Sequence, residues 1–295
     1  MISRKARMHA AQVASRVLGE FGAKERVKTG YTRIDPIAIA EAAGLVVMIR
    51  PLERLIGAFL REKLRSGVLL NSDRPIGMIH MTCAHELGHY FLDHDTTADD
   101  ELYYDDNSQD IEQEADQFAY SLMTPPWLIA HVINRYGWAS GLGDSKVIYQ
   151  LSLRLGLSYE ATARSLHQQK KVSLAERNHL LSVKPIDIKR SIVPPGVKVS
   201  GRQDVWILTE ADEGSVIEPR DEDLVFVDLP SHASAGFLWS IGDSAQSLSL
   251  KPMPVGQAPR TKDIQSLIVG GAARAVYQLR SNGEGPRQPL RARLK

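Results

Sequence analysis

Apolar side chains recur at intervals of three and four through the first 180 residues. Ala6, Val13, Val17, Leu18 and Phe21 predict a helix over residues 2–21, stopped by Gly22. Asp35-Pro36 opening an Ile-Ala-Ile-Ala-Glu-Ala-Ala run that closes on Gly44 predicts a capped helix with proline in its first position. Residues 45–49 and 67–70 are β-prone runs and predict a small sheet. Helices follow over 78–93 and 108–123, and again after Pro125-Pro126. A further pair, 145–154 and 159–168, is joined by Gly156-Leu157-Ser158.

The period changes near Pro194-Pro195-Gly196. Beyond it, short β-type runs at 204–208, 224–227, 237–241, 248–250 and 275–279 alternate with Gly, Pro, Ser and Asp turns. That spacing predicts a sandwich or barrel. The fold class expected is α+β. A mainly helical core with a small sheet (1–140) leads into a helix-turn-helix-like extension (141–193), then an all-β, immunoglobulin-like sandwich (194–295).

Composition narrows the partners. Thirty-six Lys and Arg against thirty-five Asp and Glu leave a net charge of +1, which argues against a protein that coats nucleic acid. The charge is uneven, however. Residues 1–65 hold thirteen basic and six acidic side chains, and residues 93–116 hold eleven acidic and no basic ones. A single cysteine excludes a disulfide framework within the chain. No apolar stretch is long enough to span a bilayer, and the basic first residues lack the apolar block of a secretory signal. The expectation is a soluble cytoplasmic protein with no membrane partner.

Chemistry concentrates in His85-Glu86-Leu87-Gly88-His89. Two histidines four apart share a helix face and can reach one metal ion. Zinc held by three protein ligands keeps a fourth position open and lowers the pKa of its water to about 7. A neighbouring carboxylate can take that water's proton and return it to the leaving amine. The third ligand is sought in Ile111-Glu112-Gln113-Glu114-Ala115-Asp116. Glu112 and Asp116 are one turn apart, so one can bind metal while the other orients a ligand histidine. Glu112 is preferred as ligand because it has that partner. Glu114 lies about 200° around the helix from it and faces away.

The stretch from Cys83 through His85, Glu86 and His89 to His94, followed by Glu112-Gln-Glu-Ala-Asp-Gln-Phe-Ala-Tyr-Ser-Leu-Met-Thr-Pro125, resembles the ImmA/IrrE family of zinc metallopeptidases. The run Gly67-Val-Leu-Leu-Asn71 resembles the strand that precedes the active helix there. The resemblance covers about residues 10–170. It implies His85, His89 and Glu112 as zinc ligands and Glu86 as general base. It also implies a helix-turn-helix repressor as substrate, whose cleavage releases a stress, DNA-damage or defence response. An extended substrate strand is expected along an edge near residues 67–71.

Other residues carry weaker signals. Cys83 sits about 160° from His85 and reads as a buried small side chain. His80 and His94 are out of phase with the ligand face and read as ordinary helix-end residues. Tyr90 falls within about 40° of Glu86, and could polarise a substrate carbonyl; Tyr103 and Tyr104 are weaker candidates for the same task. The 145–171 segment has helix-turn-helix character but few side chains for base edges, so it reads as a docking pair. Residues 223–239, with Ser234, Gly236, Phe237 and Trp239, resemble the chagasin-like inhibitors of cysteine proteases, and Gly270-Gly271 would match their glycine loop. Their Asn-Pro is His232-Ala233 here, and their terminal Arg-Pro-Trp is missing. A sensor module that takes single-stranded DNA or a small molecule as activating ligand is the reading that follows.

Overall fold

The computed structural model describes residues 2–61, 66–94, 106–231, 248–254, 274–281 and 290–291. The chain divides into two compact units, Met1–Ser182 and Val183–Lys295. Among the described residues no helix is long and apolar enough to cross a membrane.

The first unit opens with α1 (Arg4–Glu20), whose Ser3 side chain accepts from the Ala6 amide. Gly22, at φ 64°, turns the chain into α2 (Ala23–Lys28). Asp35 caps α3 (Pro36–Ala42) through the Ala38 amide, as the Asp-Pro pair predicted. Three short strands follow: β1 (Val46–Arg50), β2 (Gly57–Leu60) and β3 (Gly67–Asn71). β3 lies in the middle, parallel to β1 and antiparallel to β2. Its backbone is therefore paired on both sides. Among the described residues the edge strands of this sheet are β1 and β2, not residues 67–71, because the 51–56 loop folds back to lay β2 along β3. Buried Asn71 holds this loop, donating to the Leu52 and Leu55 carbonyls at 2.8 Å each and accepting from the Leu52 amide.

Helices then supply the core. α4 (Ile76–Phe91) and α5 (Asp106–Met123) pack on each other, and α5 also packs on α1. Val13, Ala14 and Val17 of α1, Cys83, Ala84 and Leu87 of α4, and Phe118, Ala119, Leu122 and Met123 of α5 are buried. Each large apolar side chain in this set contributes about 1.5–3 kcal/mol by leaving water. α6 (Pro126–Tyr136), α7 (Ser145–Leu155) and α8 (Tyr159–Gln168) follow, then α9 (Leu174–Ser182). Gly156 at φ 67° ends α7 and the Ser158 side chain caps α8. This turn rests on α4, where a Cβ on Gly77 would meet the Leu157 carbonyl carbon at 2.3 Å.

The buried His80 locks the same contact. Arg33 donates to its Nε2 at 3.2 Å, so its proton is on Nδ1 and is donated to the Gly156 carbonyl at 2.9 Å. Burial and the Arg33 charge lower its pKa to about 4, in keeping with a neutral ring. The sequence placed His80 among ordinary helix-end residues. It is instead a buried tie between α4 and the α7–α8 turn.

The second unit begins with α10 (Pro185–Ile192). Like α9, this helix is too short for periodicity to announce. β4 (Val205–Leu208), β6 (Leu224–Pro230), β7 (Leu248–Met253) and β8 (Arg274–Ser281) form a sheet in the order β4-β6-β8-β7, with β4 and β6 parallel. β5 (Val216–Ile217) pairs with β9 (Leu290–Arg291). Asp223 ties the start of the sheet together, accepting from the Asp204 and Arg220 amides and the Trp206 indole. The 237–241 run, the His232–Trp239 loop and Gly270-Gly271 lie outside the described residues, as do Tyr103 and Tyr104.

Candidate metal centre

α4 carries His85 and His89 on one face, and Gly88 between them faces α5. A Cβ at Gly88 would lie 2.9 Å from the Ala115 Cα and 3.0 Å from its carbonyl oxygen. Only glycine lets the two backbones approach this closely. The crossing at Ala115 sets Glu112 three residues before it and Asp116 one after, both against the histidines.

Three ligand atoms converge as a result. His85 Nε2 lies 3.0 Å from Glu112 Oε2 and 3.1 Å from His89 Nε2, and His89 Nε2 lies 3.4 Å from Glu112 Oε1. One oxygen and two nitrogens, all within 4.8 Å of one another, could hold a metal ion. A tetrahedral ion with bonds of about 2.0–2.1 Å separates its ligand atoms by about 3.3 Å, so the spacing fits zinc without rearrangement. The donor chemistry fits as well. Asp116 Oδ1 lies 2.9 Å from His85 Nδ1, which puts that ring's proton on Nδ1 and leaves a lone pair at Nε2. Nε2 faces the Glu112 carboxylate, and either a proton or a metal ion can sit between them.

The electrostatics carry the same message. Burial alone would lower the His85 pKa, but hydrogen bonds with Asp116 and Glu112 outweigh it and raise the value to about 10. Hydrogen bonds with His85 and His89 hold the Glu112 carboxyl well below the usual carboxylate range. This is a site that draws positive charge.

Glu86 is buried at 8% exposure, and burial pushes its carboxyl up despite the two nearby histidines. Its carboxylate accepts the Phe59 amide of β2. The strand passes close overhead: a Cβ on Gly57 would meet Thr82 Cγ2 at 2.4 Å and Glu86 Oε1 at 3.5 Å. The centre therefore lies beside the one edge of the small sheet that faces α4.

The structure brings together His85, Glu86, His89, Glu112 and Asp116. Tyr90 is placed differently. Its ring meets Phe59 edge-on at 5.9 Å and Phe91 at 5.0 Å, and among the described residues its hydroxyl has no hydrogen bond to the cluster. Cys83 is fully buried and burial raises its pKa far above the thiol range, so no thiolate is at hand to approach the ligands.

Sequence reasoning missed His94 and the use of Glu114. α4 ends in a Schellman turn: the His94 amide donates to the His89 carbonyl and the Asp93 amide to the Tyr90 carbonyl. Asp93 takes φ 59° to make it. His94 is thereby swung back until its Nδ1 lies 3.1 Å from His89 Nδ1, while its Nε2 lies 3.6 Å from Glu114 Oε2. Helical phase cannot be extrapolated through a left-handed residue. Glu114 does face away from the ligand atoms, but toward His94.

No curated protein matches the chain. A model of the IrrE N-terminal-like domain, Peptidase M78, matches residues 40–167. That span contains α4, α5, strand β2 above Glu86, α7 and α8 up to His167, and so every residue of the cluster. Over that span the chain is similar to the IrrE N-terminal-like peptidase domain.

Proposed function

We propose that this protein is a zinc endopeptidase that cuts a helix-turn-helix transcriptional repressor and so switches on a stress, DNA-damage or defence response. The observation that carries the peptidase reading is the convergence of His85, His89 and Glu112 beside a buried carboxylate under the outer edge of β2. Zinc held by those three residues supplies a Lewis acid that polarises the scissile carbonyl and acidifies water.

The chain's own residues do the rest. Asp116 fixes the His85 ring so that Nε2 points into the site. Glu86 has a carboxyl raised by burial, suited to taking a proton from attacking water and handing it to the leaving amine. An extended substrate segment pairs with the outer edge of β2, beside the Phe59 amide that Glu86 holds, which brings its backbone over Glu86. Tyr90, one turn beyond Glu86, polarises the carbonyl only if its ring leaves Phe59, and Tyr90→Phe reports whether it does.

The α7–α8 pair docks the peptidase or its substrate. Residues 194–295, read as an immunoglobulin-like sandwich, are a sensor for an activating ligand, single-stranded DNA or a small molecule. The cytoplasm, where such repressors work, is the expected compartment.

The test is co-expression of wild-type protein or Glu86→Gln with the repressor encoded nearest to it, reading the repressor's intact mass with and without DNA damage. Glu86-dependent fragments of defined mass support the reading. An intact repressor under every condition, recovered in a stable complex with zinc-loaded protein, would instead make this a non-proteolytic regulator.

A further inference from the structure

We propose that His94, backed by Glu114, is a positioning residue that sets the tautomer and ring orientation of His89 for metal binding. The inference rests on the metal-centre reading above. His89 presents Nε2 to the other two ligand atoms, 3.1 Å from His85 Nε2 and 3.4 Å from Glu112 Oε1. A ligand nitrogen must offer a lone pair, so the proton of a neutral His89 ring is on Nδ1.

That proton points at His94 Nδ1, 3.1 Å away. Two imidazole nitrogens at this separation share one hydrogen; two would repel and none would leave both lone pairs unmatched. With His89 as donor, His94 Nδ1 accepts and the His94 proton is on Nε2. That nitrogen faces Glu114 Oε2 at 3.6 Å. The order is carboxylate, imidazole, imidazole, metal, each group dictating the tautomer of the next.

His94 cannot itself ligate the same ion, because it meets the His89 ring at the nitrogen opposite the ligand atom. Its own position is fixed by burial at 8% exposure and by the Schellman turn that anchors its amide to the His89 carbonyl. The two ligand histidines are thus oriented by different devices, a direct carboxylate for His85 and a relayed one for His89. Both carboxylates come from α5, at Asp116 and Glu114. An outer partner of this kind changes metal affinity by about 10–100-fold when removed.

Zinc affinity of the full chain, measured by competition with a chromogenic chelator, tests this alongside melting of the metal-free protein. Wild-type protein that fails to bind zinc would sink the metal-centre reading itself. If wild type binds, His94→Phe should weaken zinc by at least about tenfold while His94→Gln, which keeps an acceptor, holds within a few-fold. Equal affinity in His94→Phe and wild type would overturn the proposal, as would equal losses in the Phe and Gln variants. Long-range proton–nitrogen correlation on the zinc-loaded wild type gives an answer that needs no variant. His89 protonated at Nδ1 and His94 at Nε2 is expected, and the reverse tautomer on either ring would refute the relay.

Discussion

Gly88 and Ala115 pass each other backbone against backbone, and that crossing decides where Glu112 falls beside His85 and His89. Gly88→Ala puts a methyl into contact with the Ala115 Cα and carbonyl oxygen, so α4 and α5 must separate. We expect a loss of about 1–3 kcal/mol of stability and weaker zinc binding than that loss alone would produce. Adding Ala115→Gly should not restore either, because two of the three close contacts are to backbone. Chemical denaturation of the single and double variants checks this, and rescue by Ala115→Gly would contradict it.

Asp116 and Glu86 separate binding from chemistry. Asp116→Ala removes the acceptor that holds the His85 proton and should weaken zinc about 10–100-fold. Glu86→Gln leaves all ligands in place and should keep zinc within a few-fold while cleavage falls by about 10²–10⁴-fold. Metal affinity and single-turnover cleavage measured on both variants would show the reverse pattern if the roles were exchanged.

His80 predicts a pH dependence of stability. Its ring is neutral in the fold with a pKa near 4, against 6.5 when exposed. Between those values the unfolded chain binds the extra proton, so stability is full above pH 6.5 and is lost as pH falls toward 4. The loss is about 3 kcal/mol for the whole window. His80→Gln should flatten the slope of unfolding free energy across that interval, and an unchanged slope would remove His80 as its source.

Cys83 should behave as an inert core residue. Its thiol is fully buried and its pKa is raised by burial, so alkylation should be negligible in the native protein and rapid in denaturant. Oxidants should leave metal binding unaffected. Alkylation of the native, zinc-free protein at the rate of an exposed thiol would show that α4 opens.

Much of the centre was legible because helix periodicity is rigid. His85, His89, Glu112 and Asp116 are one-turn pairs on two helices, and their faces follow from spacing alone. What spacing could not give lies where the helical rule stops. His94 sits beyond Asp93, whose left-handed backbone breaks the phase, and Glu114 acquires a role only through His94. The Phe59 amide on Glu86 was hidden for another reason: a backbone donor leaves no trace in residue type. Strand order was likewise beyond reach. Runs 45–49 and 67–70 announced strands, but the four-residue β2 between them did not, and without it β3 looked like the edge. The helices α9 and α10, of nine and eight residues, are little over two turns each, too short for a clear period.

The shortness of β2 also constrains what can be cut. The outer edge of β2, four residues from Gly57 to Leu60, measures about 13 Å, and its Phe59 amide is already held by Glu86. Few backbone bonds can form there, too few to unravel a helix or peel a strand from a sheet. A chain seated on it must arrive already extended. Were a substrate seated there as proposed, selection would act on its unstructured stretches, and folding such a segment would hide it from the site.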